Sequence, residues 1–135
     1  MIPHGLRALA LVFCGCVTVQ PITPPAPVLA PARAEDPVRA ALRSFLAAAR
    51  ASQFEAAFEC VSEKWHRRYA SAAAFGDDLA REPMAAERLA QVERSLEGPV
   101  QVAGTRATLG LGDGRVIVLT RQGERWVIDE LDARK

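Results

Sequence analysis

Three kinds of patterning follow one another along the chain. From Ala8 to Val19 apolar residues run together without a charge, and between Pro21 and Pro37 six prolines interrupt every period. From Asp36 apolar positions recur every three or four residues, and after Pro99 every two. The first spacing predicts helices with one apolar face, the second half-buried strands.

Asp36-Pro37 opens the first helix, with aspartate as N-cap and proline in the first turn, where an amide would go unpaired. Val38, Ala41, Leu42, Phe45, Leu46 and Ala49 form its stripe. Ser52-Gln53-Phe54-Glu55 has the form of a capping box. It introduces a second helix striped by Phe54, Ala57, Phe58, Val61 and Trp65. Ser71 caps a third helix through Ala80, with Ala74, Phe75, Asp78 and Leu79 inward and Gly76 weakening it. Pro83 begins a fourth, with Ala85, Leu89, Val92 and Leu96 as its seam, ending near Gly98-Pro99. Val100–Ala103, Arg106–Leu111, Arg115–Arg121 and Arg125–Leu131 then form four strands. Their connections are short and glycine-bearing, which forces antiparallel neighbours in a meander. The expected class is α+β, with helices on one face of an antiparallel sheet.

The first fifteen residues fit a signal peptide: Arg7 and the amino terminus supply positive charge ahead of the apolar run. Phe13-Cys14-Gly15-Cys16 resembles the lipobox of bacterial lipoproteins, with Cys16 as the lipidated residue and Gly15 the small residue before cleavage. Residues 16–35 then form a proline-rich tether, extended at ~3.1 Å per residue where it is polyproline-like. A competing site, Ala32-Arg33-Ala34, would instead release a secreted protein beginning at Glu35. Residues 36–135 make the single folded domain. The expected address is exported and membrane-anchored, periplasmic or facing the outer membrane.

Composition sharpens this reading. Half of the 135 residues are hydrophobic, but 25 of them are alanine, so the core is modest. Seventeen basic residues face 16 acidic ones. Removing residues 1–15 takes Arg7 away and leaves 16 of each, which argues against nucleic-acid and other charge-driven partners. No run reaches the roughly 18 apolar residues of a membrane-spanning helix. With Cys14 lost and Cys16 lipidated, Cys60 alone remains, beside a helical stripe as a small buried hydrophobe. No CxxC or HxxxH spacing offers a metal site, and no phosphate-binding loop or serine elbow is present.

The order of elements resembles the nuclear-transport-factor-two-like, or ketosteroid-isomerase-like, superfamily, as found in bacterial lipoprotein domains. The residues carrying the resemblance are Phe45-Leu46, Phe54-Glu55-Ala56-Ala57, Trp65, Tyr69 and Gly123 to Leu131, within Pro37 to about Asp132. The resemblance implies a curved sheet wrapped by helices into a cone, whose open end often holds a small ligand. It implies no particular reaction, because the superfamily includes members without activity.

His66, Tyr69 and Asp129 are the candidate catalytic residues: a histidine base, a tyrosine proton donor and an aspartate to orient them. His66 lies in the charged run Glu63 to Arg68, which favours a surface position. Trp65 and Tyr69, four apart, share a helical face. Asp129 shares a strand face with Val127 and Leu131, where it either enters a pocket or pairs with an arginine on the adjacent strand. Asp113, between two glycines, is hairpin-turn chemistry. The favoured reading is a non-enzymatic binding domain at the cell envelope, without cofactor or metal. Its partners would be the membrane, through the lipid anchor, and a small apolar ligand or envelope protein. A pocket enzyme of isomerase, dehydratase or hydrolase type is the alternative. A homodimer built on an apolar outer surface of the Val116–Thr120 strand is a third.

Overall fold

The computed structural model describes residues 36–135, so the expected signal peptide, lipidated Cys16, proline-rich tether and competing Ala34 site lie outside the described residues. Among the described residues, five helices pack against a four-stranded antiparallel sheet: α1 (Pro37–Arg50), α2 (Phe54–Glu59), α3 (Glu63–Arg68), α4 (Ala72–Arg81) and α5 (Ala85–Ser95). The strands β1 (Val100–Ala103), β2 (Arg106–Gly112), β3 (Arg115–Gln122) and β4 (Arg125–Arg134) follow in spatial order β1-β2-β3-β4. The domain is therefore α+β with a meander sheet.

α1 forms as its caps predict. Asp36 accepts a hydrogen bond from the Val38 amide at 2.9 Å, and Pro37 occupies the first turn. Val38, Leu42, Phe45 and Leu46 are buried, opposite Ile117 and Leu119 of β3 and Ile128 of β4 within one core. Leu89, Val92 and Leu96 bring α5 into the same core, against Ala107 and Leu109 of β2. Burial of this kind stabilises by about 1.5–3 kcal/mol per large aliphatic side chain. Arg39 ties the first turn of α1 to the end of α5. Its guanidinium donates to the Leu96 carbonyl at 3.0 Å and the Gly98 carbonyl at 2.7 Å, and pairs with Asp36 at 2.9 Å. Carbonyls at a helix end need such donors.

Several expectations give way. The stripe from Phe54 to Trp65 is not one helix but two, α2 and α3. Between them Cys60, Val61 and Ser62 run beside β4: the Ile128 amide donates to the Cys60 carbonyl and the Ser62 amide to the Ile128 carbonyl, each at 2.8 Å. β4 is the edge of the sheet, and its outward backbone groups find partners there that a continuous helix would deny them. The capping box is not made either. Ser52 has φ 57°, the N-cap of α2 is Gln53, and no side chain caps that helix.

Ser71 does cap α4, accepting from the Ala74 amide at 3.1 Å. Only Phe75 and Gly76 of that helix are buried, while Ala74 and Asp78 are exposed. α5 begins at Ala85 rather than Pro83, which lies in the preceding turn. On β3, Val116 and Val118 are buried with Ala133 in a second cluster, so the expected apolar outer surface on Val116–Thr120 is not open. Register shifts opposite Val116–Val118 and Val118–Leu119 break the alternation of β4, leaving Asp129 as the extra residue between Ile128 and Glu130. Asp113 has φ 54° in the turn between β2 and β3, a backbone conformation that aspartate tolerates better than most residues.

Candidate functional site

A cleft of ≈ 550 Å³ opens where α3, α4, the start of α5 and the C-terminal part of β4 meet. Its position follows from local sequence. The break at Val61 sets α3 beside Asp129 and Glu130 of β4, and Pro83 separates α4 from α5, so the two cannot close as one helix. Between them the walls are apolar: Trp65, Tyr69, Phe75, Leu79, Leu89 and Leu131.

The aromatic wall is ordered. Trp65 and Tyr69 lie parallel, with ring centroids 6.1 Å apart and planes 9° from coplanar. Phe75 meets both rings edge-on, at 6.1 Å from Trp65 and 5.5 Å from Tyr69, the arrangement that aromatic quadrupoles favour. The Trp65 indole donates to the Asp129 carbonyl at 2.7 Å, which fixes α3 to β4. The Tyr69 hydroxyl donates to the Asp78 carboxylate of α4.

Charged groups rim the cleft and mostly satisfy one another. Lys64 pairs with Glu130 at 2.6 Å and Arg88 with Glu82 at 2.8 Å. Arg81 approaches Asp77 at 3.9 Å. Arg68 differs: among the described residues it has no carboxylate partner, and its guanidinium sits over Trp65 at 5.9 Å and Tyr69 at 5.5 Å.

Of the three candidate catalytic residues, Tyr69 and Asp129 line this cleft and His66 does not. His66 is exposed and lies tilted against Phe58, with centroids 4.1 Å apart and 43° between the planes. Among the described residues Asp129 pairs with no arginine. Its carboxylate accepts from the Ser62 hydroxyl at 2.8 Å, and Ser62 is 2% exposed. The Tyr69 hydrogen bond to Asp78, and then partial burial, hold the phenol above its ordinary pKa. A phenol directed at Asp78 and held protonated is a poor proton relay to Asp129. The arrangement offers flat apolar surface and a cation on its rim, and it assembles no base–donor–orienter set.

Cys60 is half-buried rather than fully buried, and its thiol donates to the Ala56 carbonyl at 3.3 Å. Burial raises its pKa, outweighing the nearby Arg125 guanidinium. Among the described residues no group of three or more histidine, cysteine or acidic side chains could hold a metal ion.

Sequence reasoning missed Ser62 and Arg68. Ser62 carries no signal, because its role exists only once residues 60–62 lie along β4. Arg68 belongs to a charged run that looks like any solvated face. Asp78 was placed inward by periodicity, and it does line the cleft although it is exposed. No protein-family model matches the chain, and searches of curated proteins and of solved structures found no match.

Proposed function

We propose that this chain is an exported bacterial lipoprotein, anchored through lipid on Cys16, whose α+β domain binds a small apolar ligand at the cell envelope without transforming it. The observation that carries the reading is the ≈ 550 Å³ cleft walled by Trp65, Tyr69, Phe75, Leu79, Leu89 and Leu131. Ligand sites are concave, mostly apolar and commonly 300–1,000 Å³, with a few placed polar groups. The separation of His66 from Tyr69 and Asp129 supports binding over the pocket-enzyme alternative. The order of helices before an antiparallel meander supports the likeness to the nuclear-transport-factor-two-like superfamily. On this reading the sheet curves into that superfamily's cone.

Binding is tested on the full chain with a compact, uncharged, environment-sensitive naphthalene dye. Dye emission rises on binding, and Ala85→Trp, which fills the cleft at its lip, abolishes the rise. Equal emission from both proteins overturns the reading. The anchor is tested by Cys16→Ala in cells: loss of membrane partition supports lipidation, and unchanged partition sinks it.

A further inference from the structure

A second, shallower groove of ≈ 320 Å³ lies between the C-terminal end of α1, the N-terminal end of α2, α4 and α5. Its lining includes Phe54, Ala80 and Ala86, and it shares Leu79, Ala85 and Leu89 with the cleft. Those three residues are therefore walls of both spaces. They set the Trp65–Tyr69 shelf of the cleft and Phe54 of the groove on either side of Leu79, Ala85 and Leu89. Polar side chains line both ends: Arg50 and Ser52 belong to the groove, where Arg50 is engaged by Glu93 at 2.6 Å. Among the described residues Arg68 is the cleft cation with no carboxylate partner, and it stands over Trp65 and Tyr69.

From this placement we infer that the ligand is a single-chain anionic amphiphile, a free long-chain carboxylate. Its head pairs with Arg68, and its chain passes over Leu79, Ala85 and Leu89 into the groove beside Phe54. The inference rests on the ligand-binding reading above and specifies what that site takes. Arg68 selects the head group, because the other cations of the cleft already face carboxylates. The rings beneath Arg68 hold its guanidinium in place by cation–π attraction, so less side-chain freedom is lost when an anion arrives. Lys64 and Arg88 are each engaged by a carboxylate, and an incoming anion would have to displace it. The shared walls select the chain: an alkyl tail can follow a narrow apolar path that a fused-ring ligand of equal volume cannot.

The experiment compares eight-carbon and sixteen-carbon carboxylates, and the sixteen-carbon alcohol, on the full chain carrying Cys16→Ala. All are used below their micelle concentrations, with displacement of the naphthalene dye as readout. The sixteen-carbon carboxylate should bind at least a hundredfold more tightly than the eight-carbon one, since each buried methylene adds roughly fourfold. Ala86→Trp alters an exposed residue that lines the groove and not the cleft. It should weaken the long carboxylate at least tenfold and leave the short one unchanged. Arg68→Gln should weaken the carboxylate about fivefold, as for an exposed ion pair, and leave the alcohol unchanged.

Equal affinity of carboxylate and alcohol, or long-chain binding indifferent to Ala86→Trp, overturns this inference. It leaves the cleft reading intact as long as the dye still binds there. Failure of the dye itself overturns both. Capture of the protein by anionic phospholipid vesicles, with no displacement by monomeric carboxylate, also overturns it, because the head group would then belong to a bilayer.

Discussion

The ring of Phe54, at the start of α2, lies against Gly76 in the middle of α4: a β-carbon at Gly76 would fall 2.3 Å from two ring carbons. Glycine in a helix interior costs about 1 kcal/mol relative to alanine, so Gly76→Ala would stabilise an isolated α4. Here the ring must move instead, and overpacking costs about 1–3 kcal/mol. Gly76→Ala should therefore destabilise the protein by about 1–2 kcal/mol in urea unfolding. In a Phe54→Ala background the same change should turn neutral or stabilising. Stabilisation in the wild-type background would show that the ring does not set the requirement for glycine.

Ser62 is buried, and its hydroxyl is the donor to the Asp129 carboxylate at 2.8 Å. Ser62→Ala leaves that carboxylate half-buried without its donor, which should cost about 1.5–3 kcal/mol, the range for hydrogen bonds to charged groups. Asp129→Asn in the Ser62→Ala protein should recover part of the loss, because a neutral amide is cheaper to leave unpaired. Absence of coupling in this double-mutant cycle counts against the assignment.

Tyr69 links α3 to α4 through its hydrogen bond to Asp78, which raises the pKa of the phenol above its ordinary value of about 10. For an acid whose folded pKa is raised, the stability contribution is complete below the unfolded value. It is lost as pH rises through the folded one. Urea midpoints should therefore fall as pH rises above about 10, more steeply in the wild type than in Tyr69→Phe. Parallel curves would mean that the phenol does not contribute.

Arg39 gathers Asp36, Leu96 and Gly98 with three hydrogen bonds from one guanidinium. Lysine cannot reproduce that planar fork. Arg39→Lys should recover less than half of the loss caused by Arg39→Met, itself about 1–3 kcal/mol for carbonyls left without donors. Full rescue by lysine would reduce the contact to simple charge.

The contrast between His66 and Trp65 separates binding from catalysis. His66→Ala removes an exposed ring tilted against Phe58 and should leave dye affinity within about twofold, the scale of a surface substitution. Trp65→Ala removes the shelf and its bond to the Asp129 carbonyl, and should weaken dye binding at least tenfold, by analogy with aromatic anchors. Stronger loss with His66→Ala would revive a catalytic role for the histidine.

The sequence by itself determined the elements whose causes are local. Asp36-Pro37 starts α1, Ser71 starts α4, and Gly112-Asp113-Gly114 turns β2 into β3, because caps and turns are satisfied within a few residues. The α+β class followed from the change of period at Pro99. Tertiary structure decided the rest, and for one recurring reason: backbone and side-chain groups far apart in sequence compete for the same partners.

Residues 60–62 left the helical stripe because the open edge of β4 offered their backbone hydrogen bonds, and that departure set α3 beside Asp129 and Glu130. The β4 register shift put Asp129 beside Ser62 rather than beside an arginine. Periodicity could place Trp65, Tyr69 and Asp78 on faces. Only the meeting of α3, α4, α5 and β4 made those faces a cleft and left His66 outside it.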